Sequence, residues 1–225
     1  LPLPFHFFNL LSELFVWNET IIWDKTHVIN FKAYSSRRAL SYLNAPISFN
    51  YHPNWSHEFI FIFQKKGKTN SNFEKDPHFN GEEFIKNYSR SIWQIEPIPP
   101  TLCRTHPARF PFEIPQHLIK YYSNKGDTIF DPFAGYGTVL IEALRLGRIG
   151  VGNDIELEFC EIMNRNVEKL ERDPDFFRKE VQLHRIKTYV IEYRKKNLSD
   201  QTIFSLLCKM KYEQDLIKLA LTTYI

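Results

Sequence analysis

A strand, a glycine turn, a helix, a second strand and an acid follow one another between Thr128 and Asp154, and this order constrains the chain more than any other stretch. An open parallel sheet takes its ligand just beyond the carboxyl ends of its strands, so the turn after the first strand is where a ligand is expected. Thr128 to Phe130 is a short β-prone run, followed by Asp131-Pro132-Phe133-Ala134-Gly135-Tyr136-Gly137-Thr138. Gly135 and Gly137 let the backbone turn tightly and approach a ligand, and Thr138 is placed to cap the next helix. That helix carries Val139, Leu140, Ala143 and Leu144 on one apolar side and should stop at Gly147, a residue suited to a left-handed cap. Ile149 to Gly152 gives the second strand. Asp154 then arrives at about the spacing, roughly 20 residues on, at which an acid meets ribose hydroxyls.

The third glycine of the dinucleotide fingerprint is missing, which counts against NAD or FAD and against a bound pyrophosphate. The free amides and dipole of a helix N-terminus suit instead a carboxylate such as that of a methionine moiety. Gly-X-Gly alone is also a plain turn of any α/β domain. Asp131, Pro132 and Phe133 in front of it and Asp154 behind it favour a cofactor loop.

At these residues the chain resembles the amino-group DNA methyltransferases, in the permuted order where the catalytic half precedes the cofactor half. His106-Pro107-Ala108-Arg109-Phe110-Pro111, then Ile114 to Tyr122 and Gly126-Asp127, resembles the family's segment that enters the cofactor loop and lines the methionine end. Thr20 to Lys25 and His57 to Phe63 resemble late strands of the catalytic half, and Trp93 lies in the usual approach to the His-Pro segment. The resemblance covers roughly Leu1 to Leu170. It implies a Rossmann-like α/β sheet and S-adenosylmethionine as cofactor, bound by His106, Pro107, Ala108, Phe110, Asp131, Pro132, Phe133, Ala134, Gly135, Gly137, Thr138 and Asp154. Glu156 could share the ribose role, but Asp154 directly ends the strand, where the family's acid sits. The resemblance further implies double-stranded DNA as substrate and a restriction-modification setting with a cognate endonuclease. The His-Pro-Ala-X-Phe-Pro form leans towards cytosine N4 over adenine N6.

Family members also carry a tetrapeptide of Asp, Asn or Ser, then Pro-Pro, then an aromatic residue, which holds the target amine. It is not found in this sequence. Asp76-Pro77-His78-Phe79 and Asp173-Pro174-Asp175-Phe176 lack the second proline, and Ile98-Pro99-Pro100-Thr101 lacks both the polar and the aromatic ends; all three read as turns or linkers. The tetrapeptide matters because an exocyclic amine is a poor nucleophile, its lone pair delocalised into the base, so positioning supplies much of the rate. By the family pattern the sequence starts in the helix after the second strand of the catalytic half, which leaves two central strands unaccounted for. One buried aliphatic or Phe side chain contributes roughly 1.5 to 3 kcal/mol, and domains are stable by only about 5 to 15 kcal/mol. The sheet is therefore expected to be incomplete, and the chain marginal unless a catalytic half in cis or trans completes it. The alternative is a cofactor-binding fragment or regulatory module without catalysis.

The chain divides into four segments: 1–66 as the remainder of the catalytic half, 67–104 for target recognition, 105–172 for the cofactor and 173–225 as a helical extension. Phe7, Leu11 and Leu14, with Phe8 and Phe15 beside them, fit one helix face, while Phe59 to Phe63 is a continuous apolar run suited to a buried strand. Beyond Asp154, Phe159, Ile162, Met163, Asn166, Val167 and Leu170 line one side of a core-packing helix. From Pro174 on, charges alternate with Phe204, Leu207, Leu216, Ile217 and Ala220, the pattern of two or three helices.

The 225 residues are 43% hydrophobic and 24% charged, an ordinary globular balance. The formal charge of +3 is too small to argue for nucleic acid by itself. Lys65-Lys66-Gly67-Lys68, Arg104 to Arg109 and Arg194-Lys195-Lys196 read as solvated faces. Cys103, Cys160 and Cys208 have no zinc or disulfide spacing, the histidines lack metal-ligand spacing, and a reducing cytoplasm fits best. Leu1 to Leu14 is broken by His6, Asn9 and Glu13 and reads as neither a signal peptide nor a membrane span.

Overall fold

The computed structural model describes residues 3–25, 57–67, 81–98, 102 and 109–223. They form two compact units, Leu1–Pro97 with Lys120–Asn124, and Ile98–Ile119 with Lys125–Ile225.

In the first unit, helix α1 (Leu3–Leu14) leads into strand β1 (Phe15–Asp24), which pairs antiparallel with β2 (His57–Lys65) from Phe15↔Lys65 to Asp24↔His57. The register shifts between Trp17 and Glu19, a bulge that leaves Asn18 unmatched. A helical segment, Gly81–Glu83 continuing as a π-type turn over Phe84–Tyr88, precedes β3 (Ile92–Gln94), which lies parallel to β1 and completes the order β2-β1-β3. Side chains alternate across this sheet, so Phe59, Phe61 and Phe63 share one face and Ile21 and Trp23 the other. The second face is the drier one: Ile21, Trp23, Trp93 and Ile95 are buried, and the Trp23 indole donates to the Ile95 carbonyl at 2.8 Å.

Helix α1 covers the aromatic face, but with a different stripe from the expected one. Phe8 packs against Phe61 at 5.2 Å, Phe63 at 5.6 Å and Trp17 at 5.9 Å between ring centroids, whereas Phe7 is 54% exposed and Leu14 is exposed too. The helix is thus turned by about one residue, roughly 100°. Neighbouring apolar positions all round α1 leave two stripes open, and the row of Phe rings on β2 selects Phe8 and Leu11. Phe15 is not in the helix at all; it begins β1. The run Phe59 to Phe63 is a strand, as expected, but half-buried.

Helix α2 (Glu113–Tyr122), which belongs to the second unit as far as Ile119, precedes the second unit's β4 (Thr128–Asp131), α3 (Thr138–Arg145) and β5 (Ile149–Gly152). The strands pair in parallel from Thr128↔Ile149 to Asp131↔Gly152, with α3 as the crossover. α3 ends where the sequence placed its end, with Gly147 at φ +77° after the cap residue Leu146. The inner face of the strand pair lies under α3 so closely that β5 carries glycine there. A Cβ on Gly150 would stand 3.3 Å from the Leu140 backbone, and one on Gly152 2.8 Å from both Leu140 methyls.

α3 is buried on several sides, and the expected single stripe of Val139, Leu140, Ala143 and Leu144 is therefore too narrow. Leu140 packs with Ala134 and Met163, Ala143 with Ile119 and Leu146, and Ile141 with Phe112, Leu170, Phe177 and Val181, while Leu144 is the exposed member. Even Glu142 is 0% exposed, held by Arg178 at 2.9 Å and Arg145 at 3.2 Å. A buried carboxylate persists only when paired in this way.

The helices that enclose α3 are α4 (Leu157–Arg172) and α5 (Phe176–Lys195). On α4 the buried residues are Met163, Asn166 and Leu170, three of the six expected on its core side. The tail forms three helices, α5, α6 (Asp200–Lys209) and α7 (Gln214–Thr222). The far half of α5 builds a separate core with them from Ile186, Tyr189, Val190, Ile203, Leu207, Ile217 and Ala220. No described helix is long and apolar enough to cross a membrane. On the outer face of the strand pair, Phe130, Ile149 and Val151 are exposed together.

Candidate functional site: the glycine loop between β4 and α3

Asp131 closes β4, and one oxygen of its carboxylate accepts the Phe133 amide at 3.0 Å, which turns the chain out of the sheet. Pro132 and Phe133 project outward, Phe133 being 87% exposed, and the chain then dives: Ala134, Gly135 and Gly137 are buried. The Ala134 amide donates to the Asn153 carbonyl at 2.9 Å and the Asn153 amide to the Asp131 carbonyl at 3.0 Å, tying the turn to the end of β5.

Gly135 has φ +49° and Gly137 φ +86°. Gly137 is required twice over, because a Cβ there would also meet Met163 Cγ at 3.1 Å. It is Gly137, not Thr138, that caps α3: no side-chain cap bond forms, and Thr138 is the first helical residue, with its side chain buried. A residue already in helical conformation cannot reach back over the following amides, so the cap position fell one residue earlier, on glycine. The first intrahelical bond is Ile141 amide to Gly137 carbonyl at 2.9 Å, so the amides of Thr138 to Leu140 have no partner within the helix.

Asp154 sits across the loop from Asp131. One of its oxygens accepts the Gly135 amide at 2.8 Å and the other the Glu156 amide at 3.1 Å. The sequence assigned this carboxylate to ribose hydroxyls; in the fold it also holds the glycine turn. The Asp131 carboxyl is pushed above the ordinary aspartate value, chiefly by burial and to a lesser degree by the Asp154 charge, against the lowering bond from Phe133. Next to Asp154, Ile155 is 95% exposed, Leu157 is exposed as well, and Glu156 lies on the same open rim. Ile155 was missed in the sequence; an apolar residue directly after the strand-ending acid is the signal that marks it.

Two further residues were missed. Arg109 was taken as part of a solvated basic cluster, but it is buried, with its guanidinium carbon 3.6 Å from the centroid of the Tyr136 ring. In the sequence it is flanked by the apolar residues Pro107, Ala108, Phe110, Pro111 and Phe112, the signal that sets it apart from the other basic residues. Tyr136, the residue between the two glycines, is fixed at its carbonyl by the Asn166 amide at 3.0 Å. Phe110 is half-buried; His106, Pro107 and Ala108 lie outside the described residues, as do Asp76 to Phe79 and Pro99 to Thr101. Asp173 to Phe176 is the turn between α4 and α5, where Asp173 accepts the Asp175 amide at 3.1 Å and pairs with Lys179 at 3.0 Å. Among the described residues no group of three or more His, Cys, Asp or Glu could hold a metal ion.

The family model of N6/N4 DNA methylases matches residues 6–165, from α1 to within α4, and so takes in the glycine loop and both acids. The chain belongs to this family. Among curated members it is 37% identical over 113 residues to the type II methyltransferase M.BglI of Bacillus subtilis, covering 49% of this chain and 30% of the relative. To the orphan methyltransferase M.BamHII of Bacillus amyloliquefaciens it is 27% identical over 199 residues, covering 68% and 73%. The chain thus spans less than a third of the first of these relatives and about three quarters of the second. Its fold is similar to that of the Thermus thermophilus protein TTHA0409, assigned as a DNA modification methylase, at a TM-score of 0.56 and 23% identity over 78% of this chain and 63% of that one. The fold is accordingly the Rossmann-like α/β arrangement of these methylases. TTHA0409 has also been solved with S-adenosyl-L-methionine, a form similar at a TM-score of 0.51 and 24% identity.

Proposed function

We propose that this chain is the cofactor-binding part of a DNA methyltransferase that moves a methyl group from S-adenosylmethionine to an exocyclic amine, cytosine N4 in preference to adenine N6. The observation that carries this reading is the paired arrangement of Asp131 and Asp154 around a buried turn with two left-handed glycines, inside a segment that the N6/N4 family covers. The site suits the group it would hold. Phe133 and Ile155 are bare apolar side chains on the loop rim, fit to flank a purine ring, and Asp154 stands just past the end of β5, where an acid meets ribose hydroxyls. The Asp131 carboxylate is assigned to the methionine end, where an ammonium group would offset the cost of its burial and its repulsion from Asp154. His106, Pro107 and Ala108, outside the described residues, are assigned to that end by the resemblance of their segment alone.

Bound S-adenosylmethionine supplies an electrophilic methyl on a sulfonium centre. The residues of this chain bind and orient it, while the target base, extruded from double-stranded DNA, is brought in line. The Pro-Pro tetrapeptide that would hold the amine belongs to a catalytic half acting in cis or trans. The bare face of β4 and β5 supports this, because parallel strands are ordinarily covered on both faces. Residues 67–104 are assigned to target recognition and 105–172 to the cofactor. A cognate restriction endonuclease and a cytoplasmic setting accompany this reading. A second one, a cofactor-binding protein without catalysis, is favoured by the turn at Asp173 to Phe176, which is occupied in joining two helices and in binding Lys179.

Calorimetric titration with S-adenosylmethionine tests the site: the chain should bind, and Asp131→Ala and Asp154→Ala should each abolish binding. Unchanged affinity in both variants would overturn the assignment. Methyl transfer to DNA by a mixture of this chain with a polypeptide bearing the tetrapeptide then separates the two readings, since intact binding without transfer favours the second.

A further inference from the structure

We propose that helix α5, in the tail beyond the family match, is a positioning element for the glycine loop and acts on it through a stack of Phe177, Tyr136 and Arg109. This rests on the loop's being the S-adenosylmethionine site.

A loop with glycine on both sides of one residue is soft, because glycine visits left- and right-handed conformations with similar ease. A ligand that needs one of those conformations binds more weakly in proportion to the fraction of molecules that adopt it. Tyr136 is the residue between the glycines, and its ring, the Arg109 guanidinium and the Phe177 ring form one mutually contacting cluster. The Arg109 guanidinium lies 3.6 Å from its centroid, and the Phe177 ring is 5.7 Å away at 32°. Arg109 also lies 5.2 Å from the Phe177 ring and donates Nη1 to the Leu102 carbonyl at 2.9 Å, so the cation is itself tethered. Phe177, near the start of α5, is 1% exposed. One turn further, Glu180 accepts the Tyr136 hydroxyl at 3.4 Å, and burial together with the Glu180 charge keeps the phenol protonated as a donor. With Asn166 on its carbonyl, Tyr136 is held through both main chain and side chain, and the two glycines turn about a fixed point.

A guanidinium desolvated on an aromatic face contributes enough to change a population about tenfold. Arg109→Met and Tyr136→Leu should each weaken S-adenosylmethionine binding by about tenfold in calorimetric titration of the full chain, and amide exchange at Gly135 to Gly137 should speed up without cofactor. Tyr136→Phe, which keeps the ring and loses the hydroxyl with its long bond to Glu180, should retain nearly full affinity. Leu207→Ala, in the separate core of α5 to α7, lowers stability without touching the loop and should leave affinity and loop exchange unchanged. Wild-type affinity and loop exchange in Tyr136→Leu, or an equal loss in Leu207→Ala, would overturn the positioning role. If the unaltered chain binds no cofactor, the site reading fails instead, and loop exchange in Arg109→Met still decides whether the stack holds the turn.

Discussion

Asp154→Ala should destabilise the protein before any ligand is added. If this carboxylate served only a ligand, its removal would leave the empty protein unaffected, or would stabilise it slightly by relieving repulsion at Asp131. In the fold it accepts two backbone amides, from Gly135 and Glu156. Hydrogen bonds to a charged acceptor contribute about 1.5–3 kcal/mol each, towards the lower end where the group is partly exposed. Losing the acceptor affects the two amides differently. Glu156 is exposed, so water replaces the carboxylate on its amide, whereas Gly135 is buried and its amide is left with little access to solvent. The Gly135 bond therefore dominates, and the net loss should be about 2 kcal/mol. The opposing relief of repulsion is smaller, because the Asp154 charge is the least of the influences on Asp131. For a chain of this size about 2 kcal/mol lowers the melting temperature by roughly 4–8 °C. Asp154→Asn keeps one carbonyl acceptor and should lose about half as much. Thermal and urea unfolding without cofactor measure both variants. An unchanged midpoint in Asp154→Ala would refute the claim that this acid holds the turn.

Gly152→Ala should cost about 1–3 kcal/mol in urea unfolding, since the added Cβ meets two Leu140 methyls at 2.8 Å and Ala134 Cβ at 3.0 Å; a variant as stable as the parent would show that α3 does not seat as closely on β5 as described. The Asp131 carboxyl is raised, so its ionisation opposes folding, and the stability it leaves in place at acid pH is lost as pH rises through its folded value. Asp131→Asn, which keeps an acceptor for the Phe133 amide, should be at least as stable as the parent at neutral pH, with an advantage that vanishes on acidification, and should bind no S-adenosylmethionine; a variant less stable than the parent at neutral pH would contradict this. In the parent, cofactor affinity should begin to fall at a higher pH than an ordinary aspartate would give.

Local pattern in the sequence was enough to place the elements around the loop. β4, β5, α3 with its stop at Gly147, and the helical character of the tail could be read because each depends on near neighbours: a β-prone run, a glycine required by backbone conformation, an apolar repeat. The same pattern marked Asp131 and Asp154, whose place is set by the ends of two adjacent parallel strands. It could not decide which of several apolar or polar choices the rest of the chain would use. On α1 the Phe rings of β2 chose Phe8 over Phe7. On α3, enclosure by α2, α4 and α5 buried Ile141 and Glu142 and left Leu144 outside. Arg109 looked like one charge in a basic run until the approach of Tyr136 and Phe177 gave it a buried partner surface. Asp154 looked free for a ligand until the fold brought it to the Gly135 amide, 19 residues away in the chain. Such contacts depend on groups far apart in sequence, whose proximity is created only when the strands pair and the helices pack over them.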